Sequence, residues 1–76
     1  MNRFDRITRN PNVVNGQACI AGTRLTVKRV LDIVATYKNR EEIVKDYPEL
    51  RDEDIRQALL YAAASMDDAE VELGVA

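Results

Sequence analysis

With 76 residues, 46% of them hydrophobic and 32% charged, the chain has room for one small domain and none for a second. It carries a single cysteine, Cys19, and no histidine, so an internal disulfide is impossible, a zinc site is implausible, and a cysteine nucleophile would lack its usual base. The net charge of -2 hides a division: residues 1–40 carry eight basic groups against two acidic ones, a net of +6, and residues 41–76 carry three against eleven, a net of −8.

A domain of this size buries only about 60% of its unfolded surface, so a second copy or a partner is expected to add stability, and a homodimer is the expected state. The lone thiol and the absence of an apolar run at the N-terminus predict a cytoplasmic protein with no membrane segment. The charge division implies two faces with different partners, or two sides of one self-associating surface.

Residues 1–26 hold two of the three glycines and short β-branched runs without a helical period, and read as strands and turns. Asn15-Gly16 and Gly22 mark turns, because those residues tolerate positive φ. A hairpin pairing Ala18–Ile20 with Arg24–Thr26 is expected around Ala21, Gly22 and Thr23. From Thr26, a candidate N-cap, apolar residues recur at Val27, Val30, Leu31, Val34 and Ala35, one stripe of a first helix that Ile33 and Tyr37 broaden. Asn39 followed by Glu42 has capping-box spacing and opens a second, short helix whose buried side is Ile43, Val44 and Tyr47. Pro48 stops it by disfavouring helical geometry at Tyr47, and Leu50 closes the turn. A third helix starts near Asp52, with Asp52, Glu53 and Asp54 complementing its dipole, and Ile55, Leu59, Ala62, Ala63 and Met66 form its expected core face. The fold class is therefore mainly α: a three-helix bundle with a helix-turn-helix outline, preceded by a small β-hairpin. Residues 1–66 form the domain, 1–26 extended and 27–66 helical, and 67–76 form an acidic tail. In that tail Ala69 to Leu73 alternate apolar and acidic, as in a strand, which either frays or pairs with a sheet edge on a partner.

Catalytic, cofactor and metal sites are not expected. The carboxylate clusters sit at helix ends, where dipole compensation and solubility explain them, and no glycine loop has phosphate-binding form. A helix-turn-helix would meet DNA with the start of its last helix, yet that position carries Asp52, Glu53 and Asp54. The better nucleic-acid candidates are Arg3, Arg6 and Arg9 on a flexible lead-in, Arg24 on the hairpin, and Lys28 and Arg29 on the first helical turn. Arg24, beside the Gly22-Thr23 bend, is also placed to clamp a carboxylate.

Ile7-Thr8, Pro11, Val13, Gly16, Cys19-Ile20, Gly22-Thr23-Arg24-Leu25, Val27, Glu41-Glu42-Ile43, Tyr47-Pro48-Glu49-Leu50, Glu53-Asp54-Ile55 and Ala58-Leu59-Tyr61-Ala62-Ala63 together make a specific pattern. It resembles the bacterial and archaeal family called domain of unknown function 433, over about residues 5–66. The resemblance implies a homeodomain-like three-helix bundle behind a small β element. It also implies, in many cases, a VapB-like antitoxin that dimerises, neutralises a PIN-like ribonuclease toxin and often binds its own promoter. The chain departs from the family at Thr26, where proline is common, at Arg51, where threonine is common, so that Asp52 would have to cap the third helix, and at Tyr37-Lys38, where glycine is common.

An antitoxin that blocks a PIN-like nuclease is the leading expectation. An arginine of the basic front would occupy the nuclease's metal-binding carboxylates. The tail's Asp67, Asp68, Glu70 and Glu72 would imitate an RNA backbone, with Val71 and Leu73 packed on a sheet edge. The alternative is a stand-alone DNA-binding regulator without a toxin partner.

Overall fold

The computed structural model describes residues 4–66. Strand β1 (Ile7–Arg9) pairs antiparallel with β2 (Ala18–Ile20), with Ile7 opposite Ile20, Thr8 opposite Cys19 and Arg9 opposite Ala18. Helices α1 (Val27–Thr36), α2 (Arg40–Asp46) and α3 (Asp52–Ser65) follow. The expected class, three helices behind a two-stranded antiparallel element, is the one found. Helix α1 lies at the centre, packing most extensively on α3 and also touching α2 and β2, while β1 reaches α3. No helix among the described residues is long and apolar enough to cross a membrane.

The strand pairing differs from the expected hairpin. Ala18–Ile20 is a strand, but its ladder partner is Ile7–Arg9. The 24–26 segment contributes one bridge, Cys19 to Thr26, and one backbone bond, Ile20 N–H to Leu25 C=O at 2.9 Å. Thr26 is already committed as the N-cap of α1, so the second arm has no length in which to form a ladder.

Both glycine turns take the conformation expected of them. The link between the strands winds through one left-handed 3₁₀ turn, Val14–Gly16, with φ of +46°, +56° and +77° at successive residues. Asn15 and Gly16 accept this readily, whereas the β-branched Val14 does so at a cost of order 1 kcal/mol. At Gly22, φ is +76° and nothing stands within 4 Å of where a Cβ would lie, so conformation alone calls for glycine there.

The caps are local chemistry. Thr26 Oγ1 accepts the Arg29 N–H at 3.0 Å, and Asn39 Oδ1 accepts the Glu42 N–H at 3.0 Å. At α3 the N-cap position is Arg51, whose side chain cannot accept a hydrogen bond. Asp54, in the first turn, reaches back to accept the Arg51 N–H at 3.0 Å. Asp52, expected as the substitute cap, is instead the first helical residue and pairs with Arg40 at 2.9 Å. Tyr47 closes α2, and Leu50, buried, donates its N–H to the Tyr47 carbonyl across the Pro48 turn.

The core is Ile20, Val27, Val30, Ile33, Ile43, Leu50, Ile55 and Ala58. In α1 the expected stripe holds at Val27 and Val30, but its third buried residue is Ile33, with Leu31 and Val34 half-buried and Ala35 exposed. In α2 Ile43 is buried and Tyr47 half-buried, whereas Val44 faces solvent at 51% exposure. The largest difference is in α3. Leu59, Ala63 and Met66, expected in the core, are exposed, and the buried residues are Asp54, Ile55, Gln57 and Ala58. The helix is rotated because two polar side chains turn inward to hold the chain before β1. Ile55→Ala should therefore destabilise by about 3 kcal/mol and Leu59→Ala by about 1 kcal/mol or less, read from urea unfolding midpoints.

Candidate functional site

Arg6, read from sequence as part of a flexible basic lead-in, is fixed at four points. Its Nε donates to Asp54 Oδ1 at 2.6 Å, and one terminal nitrogen lies 3.5 Å from Oδ2 and 3.4 Å from the Ala21 carbonyl. Its backbone N–H donates to Gln57 Oε1 at 2.8 Å, and its carbonyl accepts the Ala21 N–H at 2.8 Å. Gln57 Nε2 in turn donates to Asp5 Oδ1 and Glu53 Oε2, both at 2.7 Å. The Phe4 ring meets Tyr61 edge-on at 5.4 Å between centroids. Asp54 has no exposed surface, while the Arg6 side chain keeps 27%. Burial pushes the Asp54 carboxyl upward, but the Arg6 hydrogen bond, the Arg51 N–H and the Arg6 charge outweigh it and hold the group below the usual 3.8. The Asp54 hydrogen bond likewise raises Arg6, against the desolvation that opposes it.

The remaining basic candidates separate into three kinds. Lys28 pairs along α1 with Asp32 at 3.3 Å, an exposed bond one turn apart. Arg29 donates to the Tyr47 hydroxyl at 3.1 Å. Tyr47 stands edge-on to Tyr37, whose hydroxyl donates to Asp46 Oδ2 at 2.5 Å, and that bond pushes the Tyr37 phenol up to about 12. Arg9 and Arg24 are brought together: both line a concavity of about 590 Å³ between β1 and the two glycine turns. The Arg9 Nε donates to the Gly16 carbonyl at 3.0 Å, which fixes the guanidinium beside the left-handed turn. Arg24 is exposed and makes no hydrogen bond or ion pair among the described residues, so the carboxylate clamp considered for it is not formed within them. Thr23 holds the bend below it, donating to the Ile20 carbonyl at 2.9 Å and accepting the Leu25 N–H at 3.1 Å.

Arg3 lies outside the described residues, as do Asp67, Asp68, Glu70, Val71, Glu72 and Leu73. The start of α3 is self-compensated: Asp52 pairs with Arg40, and Glu53 with Arg56 at 3.1 Å and with Gln57. A second hollow, of about 490 Å³, is lined by Arg40, Asp52, Arg56, Leu59 and Leu60. Among the described residues no group of three or more histidine, cysteine or acidic side chains is arranged to hold a metal ion. The candidate site is thus a cationic concavity carrying two arginine forks, suited to binding an anion.

Sequence reasoning missed Asp54 and Gln57 as interior groups. Their signal was present: on a helix, residues 54, 57, 58 and 61 recur at i, i+3, i+4 and i+7, a second face beside the expected stripe of Ile55, Leu59, Ala62, Ala63 and Met66. Two polar residues on that face, with Arg6 far upstream, gave no reason to choose it over the more apolar stripe.

The fold and the cleft define a small three-helix domain with an N-terminal β-ribbon. The chain belongs to the family described as protein of unknown function (DUF433), whose model matches residues 7–62. It is similar to the crystal structure of a DUF433 member from Anabaena variabilis ATCC 29413, at 30% identity and a TM-score of 0.71 over 80% of this chain. The match spans 60% of that protein's length. The comparison with curated proteins gives no match.

Because the folded Asp54 carboxyl lies below its unfolded value, the stability it contributes is complete above about pH 4 and is lost as pH falls through the folded pKa. In acid titrations of unfolding free energy, the gap between the native chain and Asp54→Asn should shrink below that pH. Asp52→Asn, at an exposed pair, should change the unfolding free energy at pH 7 by about 1 kcal/mol or less.

Proposed function

We propose that this protein is a binding module of the antitoxin type, which neutralises a PIN-like ribonuclease and represses its own promoter as part of the VapB-like group. The observation that supports this reading is the division of charge. The basic surface at Arg9 and Arg24, which carry no acidic partner among the described residues, suits the acidic, metal-holding centre of such a nuclease, and the acidic residues 67–72 suit its RNA groove. Arg6 drops out of the contacting set, since its guanidinium is bound to Asp54. The helix-turn-helix outline of α2 and α3 favours a second reading, a DNA-binding regulator without a toxin. Against base readout by α3, its first turn carries three carboxylates, and they are already engaged with Arg40, Arg56, Gln57 and Arg6.

The test is co-purification with, and inhibition of, the PIN-like product of the adjacent gene. One-to-one or two-to-two inhibition of its RNA cleavage is expected, with at least about tenfold weaker affinity after deletion of residues 67–76. Undiminished cleavage at saturating protein would overturn the antitoxin reading, and unchanged affinity of the deletion variant would remove the tail from it. Binding to upstream DNA that weakens steeply with salt, without any effect on the nuclease, would select the second reading.

A further inference from the structure

We propose that the concavity between β1 and the two glycine turns is a binding site for a phosphate monoester of mononucleotide size. Its volume of about 590 Å³ lies within the range of roughly 300–1,000 Å³ typical of small-molecule sites. None of its lining residues is acidic, and two are arginines. Of the other basic candidates described, Arg6 is paired with Asp54 and Lys28 with Asp32, while Arg29 bonds the neutral Tyr47 hydroxyl away from the hollow. Two cations without an acidic partner among the described residues therefore share one concave surface, the arrangement that focuses a field on an anion.

The two arginines are prepared differently. The bond from Arg9 Nε to the Gly16 carbonyl sets the direction of its fork and leaves its terminal nitrogens without a hydrogen-bond partner among the described residues. Arg24 rises from a bend locked by Thr23 and Gly22 and spends no donor on the described protein. Asn10 accepts the Asn12 N–H at 2.9 Å through its side-chain oxygen, so its amide donors remain for a ligand. Pro11 and Val13 supply an apolar wall on which a sugar or base can rest.

The charge count selects the ligand. Two guanidinium forks offer more donors and more positive charge than one carboxylate can use, whereas a terminal phosphate presents three oxygens and close to two negative charges at neutral pH. A duplex backbone offers one charge per diester and presents it on a convex surface, a poorer match to a hollow. The site needs no nuclease partner, so its failure leaves the antitoxin reading standing, and the converse holds.

The experiment titrates the full chain, labelled with nitrogen-15, with adenosine 5′-monophosphate, adenosine, inorganic phosphate and a short DNA duplex. Saturable one-to-one binding of the monophosphate is expected, with amide shifts confined to residues around 8–11, 16–17 and 22–24, and displacement by inorganic phosphate. Adenosine should shift nothing. Arg24→Gln should weaken binding by about tenfold, and Arg29→Gln, outside the hollow, should leave it unchanged. Arg9→Lys, which retains charge but not the fork, should weaken it with the fold intact by circular dichroism. Equal binding of adenosine, equal losses in Arg24→Gln and Arg29→Gln, or shifts from the duplex but none from the monophosphate would each overturn the proposal.

Discussion

The ion pair between Arg6 and Asp54 is the constraint on which the rest of the molecule depends. It joins residues 48 positions apart and seats the extended front on α3. The Coulombic gain of such a pair is largely offset by desolvation, so what it enforces is position. Any arrangement that separates the partners leaves Asp54, with no exposed surface, holding a charge without a counter-ion. The same carboxylate caps α3 through the Arg51 N–H, and the same arginine bonds the Ala21 carbonyl. One interaction therefore orients the first turn of α3, the β-ribbon and the bend after β2.

That orientation reaches the cleft. Because Arg6 and Ala21 are doubly linked, the segment leading to Gly22, Thr23 and Arg24 is held against the start of β1, and Arg9 follows three residues after Arg6. The two arginines that remain available for an anion thus stand on either side of a framework fixed by an arginine that is not available. Basic residues that looked equivalent along the sequence differ in kind: Arg6 is structural, Lys28 is paired along α1, Arg29 bonds the Tyr47 hydroxyl at the end of α2, and two face the hollow. The acidic half shows the same division, since the first turn of α3 is engaged with its own neighbours.

Much of the fold was legible because it is written in local chemistry. Thr26 and Asn39 cap their helices, Pro48 separates α2 from α3, and Asn15, Gly16 and Gly22 adopt positive φ. The strand pairing was harder: Ala18–Ile20 has candidate partners on both sides, and the choice between them depends on Thr26 being needed as a cap. The face of α3 was misjudged because hydrophobicity alone favours Leu59 and Met66, while the buried face is decided by polar groups whose partners lie about 50 residues upstream. The candidate site was legible only as a basic front. That Arg9 and Arg24 share one hollow, and that Arg6 does not contribute, follows from tertiary contacts with no sequence period.

A double-mutant cycle across Arg6 and Asp54 tests the central claim most directly. Unfolding free energies at pH 7 for Arg6→Met, Asp54→Asn and the double variant should give a coupling energy of about 2 kcal/mol, because removing either partner already strands the other. Additivity within about 0.5 kcal/mol would contradict the account, since the front would then be seated on α3 by something other than this pair.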